Sequence, residues 1–191
     1  MKKKILIAVT GLLLSGFDLS AQEIQFGKMG YGGTGCPVGK EPLLQINNRV
    51  GNVKFDQYVL NSRIQLIDRR NCSIRLPISQ GAGYQVGVKI STVDGQVAQA
   101  KNVSSSVAAS VSLVGSTKTS ALNKSWTSKV NSRYQAVSAV TGDYAWSNCN
   151  GQDAMLAINS SIVSNRMKTS AVSLISVDQL TFDFAVRRCV E

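Results

Sequence analysis

The stretch YQVGVKI, Tyr84 to Ile90, alternates apolar and polar residues over seven positions. The stretch LTFDFAV, Leu180 to Val186, repeats this period of two near the C-terminal end of the chain. Side chains of a β-strand point to opposite faces in turn, so the period predicts strands with one buried face. A helix would instead need apolar residues spaced by three and four. These two segments therefore decide the fold class in favour of β-structure.

Shorter alternating segments lie elsewhere in the chain, and turn signals separate them. The strongest turn signal is Asp94-Gly95 in ISTVDGQVAQ, which predicts a hairpin with a positive φ at the glycine. No segment keeps a helical apolar stripe over many turns. We therefore predict a single all-β domain, an antiparallel β-sandwich. The shorter segments are Val53 to Phe55, Ile64 to Leu66 and Ile74 to Leu76.

Residues 101–132 are rich in hydroxyl side chains, with ten serines and three threonines. Such a composition is also typical of a flexible linker between domains. Here the segment has no proline, and apolar residues recur at Val103, Val107 and Val111. We therefore predict strands whose solvent faces carry Ser and Thr. The alternative is an amphipathic helix around Val103 to Leu113, because Val107, Ala108 and Val111 also keep helical spacing.

Residues 1–21 have the pattern of a secretory signal peptide. Three lysines at positions 2–4 precede an apolar run from Ile5 to Leu14, and a polar stretch ends at Ala21. The run is too short to cross a bilayer of about 30 Å as a helix, which disfavours the alternative of an uncleaved anchor. We expect a secreted or periplasmic protein with a mature domain of residues 22–191 and no transmembrane segment after cleavage.

The four cysteines all lie in the exported part. An even number of cysteines in an oxidising compartment predicts two disulfides. Of the pairings that four cysteines allow, we favour Cys36–Cys72 and Cys149–Cys189, because each closes a loop of about 40 residues within one half of the domain. The competing interpretation is a zinc site, but the chain has no histidine and no CxxC pair. We expect no metal.

Glycines are concentrated in GYGGTGCPVGK, Gly30 to Lys40. The spacing G-x-G-x-x-G occurs from Gly30 to Gly35, but Cys36 and Pro37 follow where a dinucleotide-binding fold needs a helix. The phosphate-loop pattern fits no better, because Thr34 stands where its first glycine should be. We expect no nucleotide cofactor. The glycines instead predict a left-handed or crowded bend beside a disulfide.

The absence of histidine removes the base of Ser-His and Cys-His catalysis. Two carboxylates are still able to hydrolyse a glycosidic bond. None of the acidic residues is distinguished by its surroundings, so we predict no catalytic residue. A two-carboxylate polysaccharide hydrolase remains an alternative. Its candidate residues are Asp56, Asp68, Asp143, Asp153, Asp178 and Asp183.

Aromatic side chains are the other resource for binding, because their faces stack on sugar rings. Trp146 lies three residues before Cys149 and is predicted to pack in the core on a disulfide. Trp126 lies in the polar stretch LNKSWTSK, which leaves exposure and core packing both open. The predicted ligand contacts are Tyr31, Trp126, Tyr134 and Tyr144.

Several short motifs follow one another along nearly the whole mature chain. They are GGTGCP at residues 32–37, FDQY at 55–58, RRNCSI at 69–74, WSNCNG at 146–151, LAIN at 156–159 and a last cysteine at 189. Their order resembles a secreted family of bacteria and fungi, the domain of unknown function number 4360. The resemblance implies an exported, cysteine-bridged domain and brings no activity with it. Asn148 stands where that family usually has proline.

These observations favour a non-catalytic binding or envelope-associated domain whose partner is a glycan or an anionic envelope polymer. The formal net charge of +10 favours anionic partners, although the Lys and Arg residues are scattered along the chain. Besides the hydrolase, a secreted protein-interaction or inhibitor factor is an alternative, which would need an exposed apolar patch. Nothing in the sequence indicates an oligomeric state.

Overall fold

The computed structural model describes residues 24–62, 66–138, 144–149, 153–166 and 171–189. Within these ranges the chain forms fourteen β-strands and no helix. The strands are β1 Gln25–Phe26, β2 Gly30–Gly32, β3 Leu43–Asn47, β4 Val50–Lys54, β5 Val59–Ser62, β6 Ile67–Ser79, β7 Tyr84–Gln99, β8 Val103–Leu113, β9 Ser120–Trp126, β10 Val130–Val137, β11 Ala145–Trp146, β12 Ala154–Arg166, β13 Ser173–Ser176 and β14 Gln179–Arg188.

The strands form two antiparallel sheets that pack face to face. The first sheet has six strands in the order β1-β6-β12-β8-β9, and β2 also pairs with β6. The second has eight strands in the order β3-β4-β14-β7-β13-β5, and β10 and β11 also pair with β7. Buried apolar side chains of both sheets form one core. The predicted single-domain β-sandwich is confirmed.

The core is built from the residues that the period of two points inward. In β7, Val86, Val88 and Ile90 are fully buried, and in β14 Leu180 and Phe182 are fully buried. Each fully buried side chain of this kind contributes about 1.5–3 kcal/mol relative to an exposed one. The opposite face of the second sheet, which we call the outer face, carries the polar partners of the same alternation.

The serine-rich segment forms strands β8 and β9, as predicted. The helical alternative for Val103 to Leu113 is wrong, because this whole range is one strand. Strand β8 pairs with β12 on one side and with β9 on the other. Both neighbours satisfy its backbone hydrogen bonds, while Val103, Val107 and Val111 face the core at 1% exposure or less. Tertiary pairing therefore selects the strand.

The predicted hairpin at Asp94-Gly95 is wrong. Strand β7 runs straight through both residues, and Gly95 has no positive φ. A Cβ on Gly95 would lie 2.1 Å from the Ser176 carbonyl oxygen and 2.9 Å from the Tyr134 hydroxyl oxygen. The glycine is needed for this close approach of a neighbouring backbone, not for a turn. Asp94 accepts hydrogen bonds from Thr92 and Gln135, 3.1 and 2.9 Å away.

The glycine-rich loop forms the crowded bend that was predicted. Gly33 and Gly39 have φ values of +135° and +85°. Gly35 packs so closely on Tyr58 that a Cβ would lie 2.2 Å from the ring. Strand β3 follows the loop, where a dinucleotide-binding fold has a helix.

Both predicted disulfides are present, Cys36–Cys72 and Cys149–Cys189. The first is buried in the core, with both cysteines 2% exposed. The cysteines are separated by 36 and 40 residues, and closing loops of that size stabilises a fold by about 3–4 kcal/mol each.

Three sequence predictions fall outside the described residues. They concern the signal peptide of residues 1–21, the segment from Ile64 to Gln65, and Asp143. Among the residues that are described, no helix is long and apolar enough to cross a lipid bilayer.

We predict that Gly95→Ala destabilises the fold by about 2 kcal/mol or more, because its Cβ collides with the Ser176 backbone. Urea unfolding of the oxidised protein measures this free energy. Gly32→Ala is the matched control, since no atom lies within 4 Å of its added Cβ. The control should change the free energy by less than about 0.5 kcal/mol. Equal stability of the two variants would contradict the close approach at Gly95.

We also predict a loss of stability at alkaline pH that depends on Tyr58. Burial raises the pKa of Tyr58 from 10.0 to about 12. Burial likewise raises the pKa of Tyr134 well above its ordinary value, with a smaller effect of the Asp178 charge. Because the unfolded state releases these protons first, the free energy of unfolding falls as pH rises from 10 to 12, by about 2 kcal/mol for Tyr58 alone.

Tyr58→Phe should remove that part of the slope, which unfolding curves across the same pH range measure. The variant loses the hydroxyl that donates to the Arg70 carbonyl at 3.3 Å, so its stability is lower at neutral pH. The decisive quantity is the pH slope. An unchanged slope would contradict the role of Tyr58.

Candidate ligand-binding site

Trp146 lies on the outer face of the second sheet rather than in the core. In β11, Ala145 is 1% exposed and points inward opposite Val88, so the next residue points outward opposite Gly87. Ring atoms of Trp146 lie 2.8–3.0 Å from where a Cβ on Gly87 would stand. The indole therefore rests on bare backbone. The predicted core packing of Trp146 is wrong, and Gly87 is the physical reason.

Further aromatic and cationic groups surround this indole. The Tyr144 ring lies 5.5 Å from the Trp146 ring, centroid to centroid. The Arg187 guanidinium carbon lies 4.0 Å from the centroid of Trp146. The Lys89 Nζ lies 5.3 Å from the centroid of Tyr144. Tyr144 and Trp146 are both half-buried, so part of each ring is open to solvent. This arrangement is a cation–aromatic stack on the sheet surface.

A cleft of about 520 Å³ opens beside the stack. Its walls come from the turn between β8 and β9, the β11 segment, and the ends of β7 and β14. Gly115, with a φ of +86°, allows this turn to approach the side chain of Asn148. We call this space the aromatic cleft. Its lining residues are Gln85, Gly115, Ser116, Thr117, Lys118, Tyr144, Trp146, Ser147, Asn148 and Arg187.

Hydrogen bonds tie the cleft to the sheet. Gln85 donates from Nε2 to the Ser147 carbonyl and accepts from the Arg187 Nε at 2.8 Å. The buried Ser147 hydroxyl accepts from the Val86 amide at 3.0 Å and donates to the Gln80 Oε1 at 2.8 Å. Gln85 therefore links the segment that carries Trp146 to the strand that carries Arg187.

The Cys149–Cys189 disulfide joins the same two segments. Cys149 lies three residues after Trp146, and Cys189 lies two residues after Arg187. Cys149 is exposed, unlike the buried Cys36 and Cys72. This disulfide therefore restrains the walls of the aromatic cleft.

The predicted ligand contacts lie in separate places. Trp126 and Tyr134 stack on each other with centroids 4.7 Å apart, and Trp126 packs against the core. Tyr134 is 7% exposed and donates its hydroxyl to the Ser176 carbonyl at 2.7 Å. Its ring offers no free face to a sugar. Tyr31 also packs against the core, opposite Ile74. Tyr144 alone among the four lines the aromatic cleft.

Several candidate carboxylates have structural partners. Asp178 accepts hydrogen bonds from Ser176 at 2.9 Å and from Arg133 at 3.0 Å, the latter as an ion pair. Asp183 accepts a hydrogen bond from Ser91. Asp56 lies with Glu41 in a separate cavity of about 290 Å³ beside the glycine-rich loop, and both are exposed. Among the described residues, no three His, Cys, Asp or Glu side chains are placed to hold a metal.

One feature of the sequence indicates this site, although none of the predictions used it. Gly87 occupies an outward position inside YQVGVKI, where a strand ordinarily carries a polar side chain. A glycine inside a strand often marks the close approach of another group. That group is Trp146.

Gly87→Ala should displace the Trp146 ring, because the added Cβ would stand 2.8 Å from its Cε3 atom. We expect a changed near-ultraviolet circular dichroism band and changed tryptophan fluorescence, measured in a Trp126→Phe background so that one indole reports. Gly30→Ala is the control, since its Cβ meets no atom closer than 4.0 Å. Identical spectra for the Gly87 variant and its parent would contradict the stacking.

A relative of this chain is a protein of Arthroderma benhamiae described as an uncharacterized secreted protein. The two are 26% identical over 165 residues, which is 81% of this chain. The chain spans 64% of that relative's length. This relative and the two disulfides confirm the prediction of an exported protein.

Two solved structures align over most of this chain with low similarity. One is TmCBM61 in complex with beta-1,4-galactotriose, at 16% identity and a TM-score of 0.21, covering 89% of this chain and 90% of that one. The other is PfGH50B, at 10% identity and a TM-score of 0.21, covering 86% of this chain and 23% of that one.

The family resemblance inferred from the motifs is confirmed. Residues 22–189 match the family model described as domain of unknown function DUF4360. The match includes all four cysteines, both sheets and the aromatic cleft. The chain belongs to the DUF4360 family.

Proposed function

We propose that residues 22–191, freed of the signal peptide of residues 1–21, form a non-catalytic domain that binds a glycan in the aromatic cleft. The observation that carries the proposal is the Trp146 indole lying on bare backbone over Gly87, on the outer face and beside Tyr144. Burial of this large apolar ring in the core would stabilise the fold more, so its place at the surface favours a role in binding.

Sugars suit this cleft because they combine apolar C–H faces with many hydroxyl groups. The partly open ring of Tyr144 and the part of Trp146 that Gly87 and Arg187 leave uncovered supply apolar surface for the C–H faces. Ser116, Asn148 and Lys118 supply donors and acceptors for the hydroxyls. A volume of about 520 Å³ lies within the ordinary range for small-molecule sites.

The contents of the cleft favour binding over hydrolysis. Two-carboxylate hydrolysis needs a pair of acidic side chains flanking the scissile bond. None of the described residues that line the aromatic cleft is acidic. Asp178 and Asp183 are already engaged in hydrogen bonds that hold strands together. A glycan seated in this cleft therefore meets rings, amides and cations.

The strongly exposed apolar residues give less support to a protein-docking function. Val38 is 92% exposed in the glycine-rich loop, Val114 is 63% exposed after β8, and Val137 is 64% exposed at the end of β10. Scattered exposed residues of this kind are ordinary on a protein surface, although Leu66 and Ile67 are adjacent and 48% and 64% exposed. The aromatic cleft is the more specific feature.

The proposal predicts that Trp146→Ala weakens glycan binding about five- to thirtyfold while the melting temperature changes little. The variant loses the uncovered part of the ring and the face on which Arg187 lies, about 1–2 kcal/mol of contact, and the ring is not part of the core. Isothermal titration calorimetry against a panel of soluble glycans and peptidoglycan fragments measures the affinity. The oxidised mature domain is the protein used.

Trp126→Ala is the matched control, because it removes the other tryptophan of the chain. Its ring packs against the core and Tyr134, so the melting temperature should fall while affinity below that temperature is retained. Wild-type affinity of the Trp146 variant, or silence across the whole panel, would overturn the proposal.

A further inference from the structure

Arg187 is held in place by two restraints. Its guanidinium carbon lies 4.0 Å from the Trp146 centroid, a distance that places the planar group over the ring face and not beyond its edge. Its Nε also donates to the Gln85 Oε1 at 2.8 Å. The guanidinium is held by its contact with the ring and by the hydrogen bond from Nε. Its two Nη groups are therefore left to bind another partner.

No hydrogen bond or ion pair with the residues that the structure describes occupies those Nη groups. Gln85 itself is fixed, because its Nε2 donates to the Ser147 carbonyl. The guanidinium plane is therefore set before any ligand arrives. A preorganised fork of this kind matches the paired oxygens of a carboxylate or sulfate.

The charged residues that line the cleft have one sign. Lys118 and Arg187 are the charged residues among its described lining, and Lys89 lies over the ring of Tyr144. Asp183 lies opposite Lys89 in the strand pairing and accepts a hydrogen bond from Ser91. A neutral ligand would cover Lys118 and Arg187 without compensating their lost hydration, whereas an anionic ligand compensates it.

We infer that the glycan bound in the aromatic cleft is an acidic polysaccharide, with a ring carboxylate or sulfate ester held by Arg187 and supported by Lys118. This inference rests on the proposed function and names its ligand class. The sugar ring next to the anionic group lies against Tyr144. Gln85 is a positioning residue for Arg187.

The test compares polysaccharides that share a backbone and differ in charge. The probes are dextran, carboxymethyl-dextran and dextran sulfate, and polygalacturonate with its methyl-esterified form. We expect the wild-type mature domain to prefer the acidic member of each set at least tenfold, with affinity falling as sodium chloride rises. The carboxymethyl and sulfate arms distinguish the two anionic groups.

Three variants locate the charge effect. Arg187→Gln should weaken acidic binding at least tenfold, because it removes charge-assisted hydrogen bonds to the anionic group. Lys118→Gln should weaken it about threefold. Arg70→Gln, at an exposed arginine of β6 in the other sheet, removes the same charge and should change affinity less than twofold. Equal losses for Arg70→Gln and Arg187→Gln would mean diffuse charge attraction and would overturn the inference.

The remaining outcomes separate this inference from the proposed function. Equal affinity for neutral and acidic members, lost in Trp146→Ala, would retain glycan binding in the cleft and overturn the acidic class. Absence of binding to every polysaccharide would overturn both. Acidic preference that Arg187→Gln abolishes and Arg70→Gln retains supports the assignment.

Discussion

The pairing of strand β7 between β14 on one side and β10 and β11 on the other is the constraint on which the rest of the structure depends. Its alternation sends Val86, Val88 and Ile90 into the core and leaves the opposite face for Trp146. A slip of one residue would exchange these faces and expose the core set. The register of β7 thus fixes the core and the aromatic cleft together.

Two glycines of β7 serve this constraint in different ways. Gly95 lets the backbone at Ser176 approach the strand, which closes the second sheet around Tyr134. Gly87 lets the Trp146 ring lie flat on the outer face. The two disulfides also have different roles. Cys36–Cys72 reinforces the core, whereas Cys149–Cys189 joins the segments that carry Trp146 and Arg187. One member of each pair supports the fold, and the other shapes the cleft.

Local sequence patterns predicted the fold well in segments where regularly spaced apolar residues all face the core. The serine-rich strand β8 was predicted because its valines recur on one face, and both disulfides followed from loop sizes. Asp94-Gly95 was misread because a glycine beside an aspartate has the same local pattern in a turn and in a strand that another backbone approaches closely. The difference lies in Ser176, far away in sequence, which no local pattern contains.

The sequence by itself determined that the protein is an exported, disulfide-bridged β-sandwich without histidine chemistry, because period, cysteine number and composition are properties of the chain alone. Only the tertiary structure decided which aromatic rings face solvent. Trp146 was expected in the core and Trp126 among the ligand contacts; both rings are half-buried, but Trp126 packs against the core and Trp146 lies on the outer face. A ring's exposure depends on what lies across from it, here Tyr134 for Trp126 and the bare Gly87 for Trp146, and those partners meet only when distant strands pair.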